Sequence, residues 1–85
     1  MKEFTYTIKD KDGLHARPAG ILVKNAKCFV SNVSITKDDQ TADMKALIKV
    51  MSMAIKQGTT VKIRVDGPDE EECAKALKEC FENNL

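Results

Sequence analysis

The chain predicts an α+β open-faced sandwich: a four-stranded antiparallel sheet with three helices on one face, in the order β-α-β-β-α-β-α. Two kinds of periodicity and the shortness of every segment carry this expectation. Alternating apolar and polar residues mark strands. Apolar residues at three- and four-residue spacing mark helices. Segments this short bury the apolar faces of both kinds of element when helices cover one side of an antiparallel sheet.

Phe4, Tyr6 and Ile8 alternate with Thr5, Thr7 and Lys9, which predicts the first strand. After a turn at residues 9–13, Ala19, Leu22, Val23 and Ala26 predict a helix over residues 16–27. Val33 and Ile35 mark a second strand, and the polar corner 37–40 turns it into a short third strand at 41–43. A second helix is expected over about residues 46–56, ended by Gly58 as its C-terminal cap. Val61, Ile63 and Val65 alternate with Lys62 and Arg64 as the last strand. Asp66, Gly67 and Pro68 break that strand. Asp69 with Glu72 reads as a capping box opening a third helix to about residue 82, with Cys73, Leu77, Cys80 and Phe81 as its core stripe.

Eighty-five residues suit a single domain, 1–85, which buries about 60–65% of the surface its unfolded chain exposes. The chain is 42% hydrophobic and 32% charged, the balance of a globular protein. Its net charge of +1 argues against a general nucleic-acid binder. No apolar run approaches the roughly 18 residues of a membrane span, and the first residues lack a signal-peptide core. The expectation is a cytoplasmic protein with no membrane insertion. Cys28, Cys73 and Cys80 are an odd set without a C-x-x-C pair, and there is one histidine, so free thiols are expected, with no metal and no cofactor.

That histidine is the most informative residue. In Asp12-Gly13-Leu14-His15-Ala16-Arg17-Pro18-Ala19, Gly13 permits a tight turn and Pro18 fits a first helical turn, which places His15 at the N-cap. A helix N-terminus offers unbonded N–H groups, here those of Ala16 and Arg17, and stabilises an anion by about 0.3–1 kcal/mol. The Arg17 guanidinium adds a planar fork that matches phosphate oxygens. An imidazole nitrogen is a nucleophile near neutral pH, so the segment suits a phosphohistidine. A surface histidine at a cap, followed by a solvated arginine, is the other reading of the same residues.

His15, Ala16, Arg17, Pro18 and Ala19 strongly resemble the active-site segment of HPr, the histidine phosphocarrier family of the bacterial phosphoenolpyruvate:sugar phosphotransferase system. The likeness extends over nearly the whole chain and includes Lys49-Val50-Met51-Ser52. It implies the same sandwich and a non-enzymatic carrier. Nδ1 of His15 would accept a phosphoryl group from enzyme I, with Arg17 and the N–H groups of Ala16 and Arg17 holding the phosphate, and pass it to a sugar-specific enzyme II A domain.

The second helix reads as more apolar than a one-sided core requires. Resemblance assigns Leu47, Ile48 and Met51 to partner contact and leaves Val50 and Met53 to the core; burial of the whole arc is the alternative. Arg17, Gly20, Lys24 and Lys27 fall on one face of the first helix, and Gly20 leaves room for an approaching surface. With Lys49, the basic members match contact positions in HPr and imply acidic partner surfaces; a merely solvated face fits as well. Position 46 departs from the many family members that carry a regulatory serine there: this chain has Ala46, so that phosphorylation cannot occur. The chain is expected to be a monomer. A regulatory binding module of the same fold, acting without phosphoryl relay, is the competing function, and retention of His15 speaks against it.

Overall fold

Val61, Ile63 and Val65 are fully buried, whereas Lys62, Arg64 and Asp66 between and beyond them are exposed, so β4 (Thr60–Asp66) has one dry face and one wet face. The computed structural model describes residues 1–85 and places β4 inside the sheet. It pairs antiparallel with β1 (Lys2–Thr7) on one side and β2 (Asn32–Lys37) on the other. β3 (Gln40–Asp43) forms the far edge against β2, which gives the order β1-β4-β2-β3. The alternation runs across the register. Val33, Ile35 and Ala42 join the β4 valines and isoleucine in the core, with Phe4 and Tyr6 packed against its margin. Glu3 faces the open side, where it pairs with Arg64 at 2.8 Å.

Three helices complete the predicted architecture: α1 (Ala16–Lys27), α2 (Leu47–Met51) and α3 (Glu70–Asn84). α1 buries Ala19, Leu22, Val23 and Ala26, and α3 buries Cys73, Leu77, Cys80 and Phe81, the stripes expected from spacing. Phe81 is completely enclosed. Its ring meets Phe4 edge-on at 6.1 Å between centroids and Tyr6 at 5.3 Å, locking α3 onto β1. The glycine-free β2–β3 corner is a two-residue connection in which Asp38 takes φ 52°, a conformation aspartate tolerates better than most residues. All three cysteines are free: Cys28 is exposed, and burial pushes the Cys73 and Cys80 thiols up.

α2 is five residues long, not the eleven expected, and Gly58 does not cap it. The helix closes at Ser52, and the chain then turns through Ala54 at φ 51°. The Lys37 ammonium at the end of β2 donates to the carbonyls of Met53 and Ala54, satisfying groups that a longer helix would have bonded. Ile55 continues the apolar pattern and is buried, but as part of a loop. The left-handed turn is unfavourable for alanine, so Ala54→Gly is expected to raise stability by up to about 1 kcal/mol, read as a higher urea midpoint. At the other end Ala46 sits at the N-cap with no side-chain bond, and Asp43 compensates: its carboxylate accepts from the Lys45 N–H and its carbonyl from the Ala46 N–H.

Asp69 is the N-cap residue of α3, but the capping box does not form. Its carboxylate instead accepts from the backbone N–H groups of Val30 and Ser31, both at 3.0 Å, and from the Ser31 hydroxyl. Three donors from the α1–β2 connection outcompete one from its own helix. Glu70, not Glu72, closes back on the turn, accepting from the Gly67 N–H. The Ser31 hydroxyl holds the Asp69 carboxyl below its ordinary value, the chain's amino terminus does the same for Glu70, and Arg64 for Glu3. Carboxyls depressed on folding stabilise the native state above their unfolded values and lose that contribution as pH falls through their folded ones. The urea midpoint is therefore expected to fall steadily from about pH 4.5 downward, and Asp69→Asn to flatten part of that slope.

Candidate functional site

Gly13 shapes the site. It has φ 68°, and a methyl group added there would run into the Ile55 carbonyl oxygen and lie 2.8 Å from Lys56 Cα. The loop following α2 thus forms the floor on which the histidine turn rests, and the Leu14 N–H donates to the Ile55 carbonyl at 2.9 Å to fasten it. Leu14 is buried, and the next residue caps α1. His15 occupies the N-cap in an extended conformation, φ −86° and ψ −176°, and its carbonyl accepts the first helical bond from Ala19.

The His15 side chain makes no cap bond and is 41% exposed, so its ring is not committed to the helix. The N–H groups of Ala16 and Arg17 precede any possible intrahelical acceptor, and Pro18, third in the helix, has none to offer. No acidic residue occupies this first turn, whereas Lys24 and Lys27 sit in the last turn, where they complement the dipole. Arg17 is exposed and in no ion pair, leaving its guanidinium available to an anion. His15 and Arg17 open onto one polar depression of about 330 Å3, which Asn83 and Asn84 of α3 close on the far side. A larger concavity of about 420 Å3 lies over the open face of the sheet between Asn32, Asp43 and Arg64, with neither histidine nor cysteine in it. His15 and Arg17 both line the smaller one.

The same depression contains two acids whose relation to the ring periodicity did not reveal. Asp10 Oδ2 lies 3.9 Å from His15 Nε2, and Asp12 lies close by. The turn residues Asp10, Lys11, Asp12 and Gly13 are visible in sequence as a corner, but which side chain faces the ring is not. The three groups place possible ligand atoms within 4.8 Å of one another, yet they are solvent-facing side chains on a single turn and make no metal site by themselves.

Of the residues expected on a docking surface, Lys24, Lys27 and Lys49 are exposed and Gly20, half-buried, has open space where a side chain would be. Ile48 is 77% exposed, Leu47 37% and Met51 39%, while Val50 and Met53 are buried, the division expected. Lys45, Lys49, Ser52 and Lys56 stand at helical spacing in the sequence, but only Lys49 lies within α2. Lys45 precedes the helix and donates to the Phe29 carbonyl, Ser52 caps the C-terminus, and Lys56 lies in the loop under Gly13. α2 packs beside α1, and its outgoing chain lies under the histidine turn.

Residues 2–83 match the family model described as the PTS HPr component phosphorylation site. The chain belongs to the HPr family. It is 43% identical to the phosphocarrier protein HPr of Mycoplasma capricolum over 79 residues, covering 93% of this chain and 89% of that one. A solved histidine-containing phosphocarrier protein of Mycoplasma superposes with a TM-score of 0.94 at 40% identity, over 96% of this chain and 93% of the other. The Bacillus subtilis catabolite repression protein Crh, solved as a swapped dimer, is more distant, at a TM-score of 0.78 and 32% identity over 100% and 98% of the two chains. HPr proteins are phosphocarriers of the phosphotransferase system, and the fold described above is theirs. No helix is long and apolar enough to cross a membrane.

Proposed function

We propose that this HPr-family chain, acting as a single domain in the cytoplasm, relays a phosphoryl group from phosphorylated enzyme I to the A domains of sugar-specific enzymes II. Nδ1 of His15 is the acceptor. The observation that carries the reading is an uncommitted imidazole at the mouth of a helix whose first N–H groups and neighbouring arginine are likewise uncommitted. Asp10 lies on the Nε2 side of the ring, so an anionic phosphoryl group meets less repulsion at Nδ1. Once there it lies near the N–H groups of Ala16 and Arg17 and the Arg17 fork. Exposure suits a relay, since a phosphohistidine held deeply would not be passed on.

The chain supplies a nucleophile and a cradle; docking supplies the in-line geometry that phosphoryl transfer needs. Lys24, Lys27 and Lys49 would steer an acidic partner surface, and Leu47, Ile48 and Met51, with the bare backbone at Gly20, would form the dry centre of the contact. The carrier would act as a monomer. With Ala46 in place of a serine, this relay has no switch by phosphorylation at that position.

Incubation with labelled phosphoenolpyruvate and enzyme I tests the acceptor. One acid-labile phosphate per chain is expected on the natural protein and none on His15→Ala; label on the variant would remove His15 from the role. Likeness to Crh favours a second reading, a regulatory module that binds without relaying, and it predicts no label on either protein.

A further inference from the structure

Asp10 is placed with more care than an exposed loop acid requires. Its backbone N–H donates to the Leu85 carbonyl at 2.9 Å, its carbonyl accepts from Gly13 at 2.9 Å, and its Oδ1 accepts the Asp12 N–H at 2.8 Å. These bonds fix the residue at both ends and leave Oδ2 facing His15 Nε2 at 3.9 Å. That separation is longer than a hydrogen bond and within ion-pair range. The side chain is 30% exposed, so the interaction is partly screened and acts on the ring without trapping it.

We infer that Asp10 is a positioning residue for phosphoryl transfer, keeping one proton on Nε2 of His15 through both halves of the cycle; this rests on the relay described above. In acceptance, the Nδ1 lone pair of the neutral, Nε2-protonated ring attacks phosphorus as the bond from phosphorus to enzyme I breaks. The ring then carries phosphate on Nδ1 and a proton on Nε2, hence a positive charge, which the Asp10 carboxylate balances. In discharge, the bond from Nδ1 to phosphorus breaks with its electron pair returning to Nδ1, and the phosphoryl group passes to the acceptor histidine. The ring leaves as neutral imidazole with the same proton on Nε2. Without that proton it would depart as an imidazolate, a far poorer leaving group. Only the phosphoryl group moves, and each turn ends in the tautomer that begins the next.

Other charges bear on the ring and set the controls. Asp12 lies in the same turn and Arg17 faces the depression from α1, while α3 lines it with the uncharged Asn83 and Asn84. Asp10→Asn retains an oxygen for the Asp12 N–H and removes only the charge.

The test is performed on the natural chain, Asp10→Asn and Asp12→Asn, each loaded by phosphoenolpyruvate and enzyme I. Nitrogen NMR reads the protonation constant of Nε2 in the phosphorylated ring, and loss of label over time reads discharge to water across pH. Asp10→Asn is expected to load on His15, to show an Nε2 protonation constant lower by about three-fold, the strength of an exposed ion pair, and to discharge more slowly near neutral pH by a similar factor. High salt should shrink the difference between the natural protein and Asp10→Asn. Equal constants and decay in those two proteins would overturn the inference while leaving the relay intact. An equal effect of Asp12→Asn would also overturn it, because general loop charge would then suffice. Failure of the natural chain to load would remove the relay and this inference together.

Discussion

Gly13→Ala is expected to unfold a large fraction of the molecule's stability and to dislodge the histidine turn. A residue with a side chain held at φ 68° costs about 1–2 kcal/mol. The added methyl group also meets the Ile55 carbonyl and the Lys56 backbone, which cannot rotate aside as a side-chain end can, so overpacking adds about 1–3 kcal/mol. At about 0.05–0.15 kcal/mol per residue, a chain of this length holds roughly 4–13 kcal/mol in all. Scanning calorimetry should record a fall in Tm of at least about 8 °C, since each kcal/mol shifts a domain of this size by about 4–8 °C. The damage should also reach function: if the turn lifts from its floor, the bond from the Leu14 N–H to Ile55 is lost and loading of His15 falls beyond what the unfolded fraction explains. A Tm changed by less than about 2 °C would show that the turn can move off the Ile55 loop without cost.

Arg17→Ala is expected to separate function from stability. The guanidinium is exposed and pairs with nothing in the fold, so its loss should leave Tm unchanged. Phosphate charge redistributes as the group moves between two nitrogens, and a donor placed for that moment accounts for about 10²-fold or more in rate where it has been removed from an enzyme. For this open site we expect about 10²-fold slower transfer from enzyme I and to enzyme II alike, measured by rapid quench. Arg17→Lys should recover only part of the rate, because it restores charge but not the planar fork. Unchanged rates in Arg17→Ala would exclude the arginine and leave the helix terminus as the whole cradle.

Strands and long helices were legible where local pattern and tertiary packing agree. β4, the stripe on α1 and the stripe on α3 follow their expected periods residue by residue because each faces a single apolar layer. Local pattern extends α2 too far because Ile55 is apolar and correctly spaced, yet its burial serves the floor under Gly13, and Lys37, from a distant strand, satisfies the carbonyls where the helix stops. The role of Asp69 is hidden for a similar reason: its donors lie 38 and 39 residues away, beyond any local capping pattern. At the site, the N-cap position of His15 and the free first turn were readable from Gly13 and Pro18. The approach of Asp10 to the ring was not, although the two are only five residues apart, since a turn's backbone and not its spacing decides which side chains meet.

Phosphorus NMR of the natural chain, carrying nitrogen-labelled histidine and loaded by phosphoenolpyruvate with catalytic enzyme I, tests the relay most directly. We expect one phosphoramidate resonance coupled to Nδ1 of His15. No such resonance under conditions that load another phosphocarrier, or phosphate bonded to any other atom, would contradict the account.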